Sequence, residues 1–186
     1  MNATDLLVAV ALRQEAAHLP PEGVVLVGAG KVSAATATAR ALAERRPGRV
    51  LNIGTAGALR PGLVGVHRVG RVLEHDFDAE TIERLTGDPV PGELVLDPTS
   101  TITLATGDVF VQDESVRDRL ARRADLVDME GYAVARACAA FGVPCTVVKI
   151  VSDEAAGDAA RTWAETVDDL ARRIAEVVEA ERGRPG

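Results

Sequence analysis

The chain of 186 residues has little cysteine, little histidine and no cluster of positive charge. Its two cysteines, Cys138 and Cys145, are seven residues apart, which suits neither a disulfide framework nor a paired metal motif. We therefore expect two buried free thiols. The formal net charge is −7 and no lysine- or arginine-rich run occurs. This charge balance disfavours nucleic acid and anionic membranes as partners.

Long apolar runs are also absent. The first run, Leu6–Leu12, is too short to span a membrane, and Asp5 stands where a secretory signal would carry basic charge. We therefore expect a cytoplasmic protein. The chain is 47% apolar, and its length allows one domain with a hydrophobic core but not two. We expect a single domain over residues 1–186.

Short apolar runs alternate with longer amphipathic stretches. Most of the short runs are continuously apolar, as is typical of strands buried on both faces. The expected strands are Leu6–Leu12, Val24–Val27, Val50–Ile53, Val66–Leu73, Leu94–Leu96, Thr101–Thr106, Asp125–Val127 and Cys145–Val151. The expected helices are Lys31–Glu44, Glu114–Arg122, Glu130–Phe141 and Arg161–Arg182. This alternation predicts an α/β fold, a three-layer sandwich around a mixed, mostly parallel sheet.

Polar residues gather directly after the expected strands. The carboxylates in such positions are Glu15, Glu130 and Asp153. Two glycine-containing segments, Gly28–Gly30 and Gly54–Gly57, are expected to form turns at the same edge. Ligands bind beyond the carboxyl ends of the strands in open α/β sheets. Three carboxylates and two glycine turns are therefore expected to converge on one rim.

Each of these features also has a purely structural explanation. Glu15 can start a helix in solvent, Glu130 can favour a helix N-terminus, and Asp153 can be an N-cap. The segment Gly28–Gly30 is similar to a dinucleotide-binding turn, but Ser33 stands where that motif requires glycine or alanine. A dinucleotide-dependent oxidoreductase is therefore disfavoured, and no single residue decides the function.

Five motifs, taken in order, carry a resemblance to a known family. They are Gly28-Ala29-Gly30-Lys31-Val32, Asn52-Ile53-Gly54-Thr55-Ala56-Gly57, Thr106-Gly107-Asp108-Val109-Phe110, Val127-Asp128-Met129-Glu130 and Val147-Val148-Lys149-Ile150-Val151-Ser152-Asp153. Together they resemble the purine nucleoside phosphorylase and nucleosidase superfamily, and within it most closely the 5′-methylthioadenosine/S-adenosylhomocysteine nucleosidases. The resemblance covers nearly the whole chain. It implies hydrolysis of the N-ribosidic bond of a purine nucleoside, without a cofactor, by a homodimer.

The resemblance implies three catalytic carboxylates. Asp153 matches the acid that donates a proton to purine N7, Glu130 matches the residue that holds the ribose hydroxyls, and Glu15 matches the carboxylate that activates water. The chemistry itself requires such groups. The departing base needs a proton, the cationic sugar needs nearby negative charge, and water must attack from the opposite face. One carboxyl must therefore hold a proton near neutral pH.

The resemblance also implies a set of substrate-binding residues. These are Thr55, Phe110, Val111, Met129, Lys149, Ser152, Trp163, Gly30 and Gly57. Phe110 matches the aromatic ring that stacks on the base, and the backbone of Val111 matches the group that reads its edge. Met129 packs under the sugar and Trp163 covers the 5′ substituent. Lys149 replaces an arginine near the attacking water, which keeps a donor but changes its geometry.

Several departures from the family leave alternatives open. Only Ala16–Gly23 separates the first strand from the next one, so a strand or hairpin is expected to be missing, which leaves 5′ specificity and dimerisation open. Asn52 stands where phosphorylases hold phosphate with an arginine, which favours water, although Arg13 keeps a phosphorylase possible. Asp153 favours a 6-amino purine. A futalosine-type hydrolase and a non-catalytic nucleoside-binding protein are further alternatives, but binding alone does not require Glu15.

The segment Glu74-His75-Asp76-Phe77-Asp78 contains several groups that can bind metal. Only two other histidines, His18 and His67, occur in the chain, and no paired motif joins them. We therefore predict a hydrated loop here and no metal.

Overall fold

The computed structural model describes residues 6–157 and 159–184 of the chain. Its strands are β1 (Leu6–Val10), β2 (Val24–Leu26), β3 (Arg49–Ala58), β4 (Val66–Arg68), β5 (Arg71–Glu74), β6 (Glu93–Val95), β7 (Thr103–Thr106), β8 (Leu126–Asp128) and β9 (Cys145–Asp153). Its helices are α1 (Lys31–Arg45), α2 (Ala79–Thr86), α3 (Glu114–Leu120), α4 (Gly131–Phe141) and α5 (Ala159–Arg182).

All the described strands belong to one sheet with β3 at its centre. β1 pairs in parallel with β2 and with the first half of β3, and β9 runs parallel to β3 from Val50 to Gly57. β8 joins the end of β3 in the antiparallel direction, and β7 and β5 continue the sheet in parallel. β6 and β4 are antiparallel additions. The prediction of a mixed, mostly parallel sheet is confirmed.

Helices cover both faces of the sheet, which explains why β1 is continuously apolar. Leu7 and Ala9 pack with buried residues of α1 and α4, whereas Val8 and Val10 pack with Ile174 and other buried residues of α5. Successive side chains of a strand point to opposite faces, so both sets are buried only in a three-layer arrangement. The prediction of a three-layer α/β fold is confirmed.

The expected strand Val66–Leu73 is divided into β4 and β5 at Gly70. β4 pairs with β9, whereas β5 pairs with β6 and β7, so the chain changes sheet neighbours at this point. A Cβ atom on Gly70 would clash with the backbone carbonyl oxygens of Ser100 and Asp97. Only glycine fits this crossing, and the apolar pattern does not reveal it.

Helix α2 was not predicted, because it has no buried residue and therefore no apolar stripe that faces a core. Its ends carry ordinary signals instead. The Asp78 side chain accepts a hydrogen bond from the Thr81 N–H, and Gly87 ends the helix in the left-handed conformation. None of the helices that the structure describes is long and apolar enough to cross a membrane.

Candidate active site

A cavity of about 220 Å³ opens at the carboxyl edge of the sheet. Of the residues that the sequence singled out, those in its wall are Glu15, Thr55, Gly57, Phe110, Val111, Met129, Glu130, Ser152, Asp153 and Trp163. Lys149 and Gly30 do not line it. The three expected carboxylates therefore meet at one cavity, although they follow three different strands.

Glu15 is almost fully buried, with 3% of its surface exposed, and the end of β3 holds it in place. Its Oε1 accepts hydrogen bonds from the N–H and the hydroxyl of Thr55, both at 2.8 Å, and its Oε2 accepts one from the Leu12 N–H at 3.2 Å. A Cβ atom on Gly54 would lie 3.1 Å from Oε1. Gly54 thus lets the carboxylate approach the strand closely. Glu15 is not a solvated helix-start residue.

Asp153 lies at the last position of β9. Its Oδ2 accepts a hydrogen bond from the Ser152 hydroxyl at 2.7 Å, and its Oδ1 accepts one from the Ala155 N–H at 2.8 Å. Ala155 has a φ of 49°, a left-handed conformation that is uncommon for residues other than glycine. This turn brings the Ala155 N–H back to the carboxylate and fixes its orientation at the cavity.

The segment Gly54–Gly57 is part of β3 and not a turn, so this prediction was wrong. Its glycines lack side chains and so leave space for the neighbouring carboxylates. Gly54 contacts Glu15, and a Cβ atom on Gly57 would lie 3.1 Å from Oδ1 of Asp153. Three residues of a strand span roughly 10 Å. Glu15 and Asp153 therefore contact β3 at positions three residues apart, and both line the same cavity.

Glu130 connects the cavity to the turn before α1. Its Oε1 accepts a hydrogen bond from the Gly30 N–H at 2.9 Å, and Asp108 accepts one from the Lys31 N–H at 2.7 Å. Gly28 and Gly30 have positive φ values, as expected for a turn. Because carboxylates of the protein itself already occupy these N–H groups, the turn is not free to bind a pyrophosphate. The oxidoreductase interpretation therefore loses its main support.

Burial raises the pKa of Glu130 from 4.5 to about 7. The nearby Asp128 adds to this rise, whereas Lys149 and the Gly30 N–H oppose it. The folded protein therefore disfavours the ionised form of a carboxyl that lines the cavity. Such strongly perturbed groups are typical of functional sites.

We expect Glu130→Gln to weaken substrate binding and turnover together while stabilising the fold at high pH. The pKa of Glu130 is higher in the folded protein than in the unfolded chain, where it is about 4.5. Its contribution to folding stability is therefore fully present below pH 4.5 and is lost as the pH rises through about 7. Glutamine stays neutral and can still accept from Gly30. The stability of the variant relative to the wild type should rise by on the order of 3 kcal/mol between pH 4 and pH 8. Denaturant unfolding at both pH values measures this difference.

Exposed Glu44 on α1 offers a matched control. Glu44→Gln should leave the pH dependence of unfolding unchanged. A Glu130→Gln variant whose relative stability is the same at both pH values would contradict the account of this carboxyl.

Asp128 is a fourth carboxylate in the cavity wall, and no role was predicted for it from the sequence. Its Oδ2 lies 2.9 Å from Nζ of Lys149 and accepts a hydrogen bond from the Gly131 N–H, while its Oδ1 accepts one from the Thr106 hydroxyl. Burial alone would lower the pKa of Lys149, but the charges of Asp128, Glu130 and Glu15 raise it overall. Lys149 is therefore a buried cation behind the cavity wall. The signal for Asp128 was its position directly before Met129 and Glu130.

The segment Glu74–Asp78 is largely the predicted loop, since residues 75–78 lie outside helices and strands and residues 76–78 are exposed. Glu74 ends β5, and both it and Asp76 accept hydrogen bonds from Nζ of Lys31 at 2.5 Å. Burial lowers the pKa of His75, so its ring is neutral near pH 7 and packs against Gly107. Within residues 6–157 and 159–184, no group of three potential ligands is arranged to hold a metal.

Arg13, the basic residue that kept a phosphorylase possible, does not line the cavity. Arg13 lines a separate groove with Ala16 and Leu19. Asn52 is 1% exposed inside the sheet, where its amide donates to the carbonyl of Ala9. Among the side chains that the structure describes, no lysine, arginine or histidine lines the cavity. The part of the wall that the structure describes therefore carries carboxylates without a cation that faces the cavity.

Fold and site together define an α/β protein whose cavity, at the carboxyl edge of a mixed sheet, combines carboxylates with apolar and aromatic surface. Residues 20–180 match the family model described as the phosphorylase superfamily. The 5′-methylthioadenosine/S-adenosylhomocysteine nucleosidase of Geobacillus kaustophilus is 32% identical over 181 residues, which cover 81% of this chain and 74% of that protein. The chain belongs to the phosphorylase superfamily.

Solved structures support the same fold. The 5′-methylthioadenosine/S-adenosylhomocysteine nucleosidase of Streptococcus pneumoniae, bound to 8-aminoadenine, matches with a TM-score of 0.81 and 24% identity, over 93% of this chain and 96% of that chain. The futalosine hydrolase of Helicobacter pylori matches with a TM-score of 0.82 and 22% identity, over 94% and 95%. At these identities the likeness establishes the fold alone.

Proposed function

We propose that this protein is a nucleosidase that hydrolyses the N-ribosidic bond of an adenine nucleoside such as 5′-methylthioadenosine or S-adenosylhomocysteine. The observation that carries the proposal is that Glu15, Glu130 and Asp153 line one cavity, in whose wall no basic side chain is found among the described residues. The name of the relative from Geobacillus kaustophilus supports the same activity.

In this mechanism the two carboxylates act on opposite sides of the sugar. Oε2 of Glu15 takes a proton from water, whose oxygen forms the new bond to C1′. The bond from C1′ to N9 breaks, its electron pair moves into the base, and Asp153 delivers a proton to N7. Two carboxyl groups held about 6.5–9.5 Å apart, with water between them, perform the equivalent displacement in inverting glycoside hydrolysis. Glu15 and Asp153 contact β3 at two different positions, Gly54 and Gly57, as two groups with separate roles require.

Other residues of the wall hold the nucleoside. Glu130 accepts hydrogen bonds from the ribose hydroxyls, and Met129 packs beneath the sugar. Phe110, with 42% of its surface exposed, stacks on the base, and the backbone of buried Val111 reads the base edge. Above its pKa of about 7, the carboxylate form of Glu130 also stabilises the positive charge that develops on the sugar.

A phosphorylase is the less favoured alternative. Phosphate would enter a wall that contains Glu15, Asp128, Glu130 and Asp153, and the described wall offers no cation to offset their repulsion. Lys149 is 2% exposed and already paired with Asp128. The arrangement favours neutral water as the nucleophile.

The proposal is tested with a panel of nucleosides and chromatographic detection of free base. The panel contains adenosines with 5′-methylthio, homocysteinyl and hydroxyl groups, futalosine, and inosine as the 6-oxo counterpart. We expect adenine from at least one 5′-thio nucleoside and little hypoxanthine from inosine. Release of base from futalosine or inosine alone would contradict the assignment to 5′-thioadenosines. Binding without any release would support a non-catalytic protein.

We further propose a cytoplasmic homodimer that acts in methionine salvage. An exposed apolar surface at the cavity rim supports the dimer. Its side chains are Val32, Phe77 and Val109, with 78%, 46% and 68% of their surfaces exposed. Each of them directly follows a residue of one ion-pair cluster, in which Lys31 pairs with Asp76 and Asp108. Exposed apolar patches of this kind mark association sites, and self-association through one shared patch is common.

Light scattering at micromolar concentration should give the mass of a dimer. Val32→Glu should give a monomer, because the glutamate would place a charge in the apolar surface between the two subunits. Phe141 is a matched control, since it is 47% exposed at the end of α4 that points away from the cavity. Phe141→Glu should remain dimeric. A monomeric wild type would refute the proposed dimer.

A further inference from the structure

We infer that Trp163 is a positioning residue for Glu15, acting through the hydroxyl of Thr55; this inference rests on the proposed function. Nε1 of Trp163 donates to Oγ1 of Thr55 at 3.1 Å. The same oxygen lies 2.8 Å from Oε1 of Glu15. A continuous hydrogen-bond relay therefore runs from the first turns of α5, through the end of β3, to the loop after β1.

The direction of the relay is unambiguous. An indole nitrogen can only donate, so it must use a lone pair of the Thr55 hydroxyl. The hydroxyl has a single proton, and it donates this proton to Oε1 of Glu15. The indole N–H thus locks a hydroxyl that would otherwise rotate. Hydrogen bonds in such chains also strengthen one another.

The relay determines which oxygen of Glu15 is available to water. Oε1 already accepts from both the N–H and the hydroxyl of Thr55. From the described residues Oε2 accepts a single hydrogen bond, a longer one of 3.2 Å from the Leu12 N–H. Oε2 therefore keeps the accepting capacity that a general base needs. A phenylalanine at position 163 would cover the cavity equally well but would not fix this arrangement.

The test is a double-mutant cycle on the best nucleoside substrate. Trp163→Phe keeps an aromatic ring and removes the N–H, so kcat should fall about 3- to 10-fold with KM unchanged. Thr55→Val removes the hydroxyl, and adding Trp163→Phe to it should cause no further loss. Independent effects that multiply in the double variant would overturn the relay. A rise in KM with unchanged kcat would show that Trp163 is only a cover.

A second measurement needs no substrate. Trp163 is the only tryptophan of the chain, so its fluorescence reports the contact directly. Thr55→Val should move the emission maximum to shorter wavelength, whereas Thr55→Ser should keep the wild-type maximum. Identical spectra for all three proteins would overturn the inference. If the wild type releases base but the effects of the two substitutions multiply, the relay is wrong and the proposed function stands. If the wild type releases no base, the proposed function is wrong, and the fluorescence measurement alone tests the contact between Trp163 and Thr55.

Discussion

Asp153→Asn should lower turnover on the order of 10²–10⁴-fold and leave nucleoside binding largely intact. Asparagine keeps an oxygen that can accept from the Ala155 N–H, so the turn after β9 should survive. It cannot supply the proton that the departing base needs at N7. Loss of the transition-state contact alone should lower kcat and kcat/KM equally. Steady-state kinetics together with calorimetric binding separates the two effects.

Asp169→Asn on the exposed face of α5 is the matched control, since it makes the same chemical change away from the cavity. It should have wild-type kinetics. An Asp153→Asn variant with near wild-type turnover would show that another group activates the base. It would also remove the preference for a 6-amino purine, which depends on the same residue.

Glu15→Gln should lower turnover on the order of 10³-fold, because a neutral amide cannot take the proton of the attacking water. Its oxygen can still accept both hydrogen bonds from Thr55, but its NH₂ group would face the Leu12 N–H, where the carboxylate now accepts. We therefore expect a modest loss of stability as well. Product formation in single-turnover experiments, with thermal unfolding measured in parallel, distinguishes the two losses.

Glu22→Gln, a change at an exposed position of the same connection between β1 and β2, controls for the substitution itself. Its turnover should match the wild type. A Glu15→Gln variant that binds nucleoside and turns it over at a wild-type rate would exclude Glu15 as the base and would favour water activation by another carboxylate of the wall.

The sequence predicted the layers of the fold because burial on both faces leaves a local signal. Continuous apolar runs identify β1 and β9, and residues that follow such strands reach the carboxyl edge by geometry alone. The convergence of Glu15, Glu130 and Asp153 was predictable for this reason.

What the sequence could not reveal depends on contacts between distant segments. Gly54 and Gly57 suggested a turn, but they lie within a strand because Glu15 and Asp153 approach from other parts of the chain. The loop that carries Arg13 gave no sign of the direction in which its side chain points. Lys149 is hidden in an apolar run, and only the structure identifies Asp128 as its partner.

The central claim is that water, not phosphate, cleaves the bond, and the most direct measurement is base release from 5′-methylthioadenosine with and without phosphate. Adenine and the reducing sugar are quantified after reaction in phosphate-free buffer and in millimolar phosphate. Among the described residues, no cation that could hold phosphate lines the cavity wall. We therefore expect equal rates and a free sugar in both buffers. Release that requires phosphate and yields a sugar 1-phosphate would contradict this account.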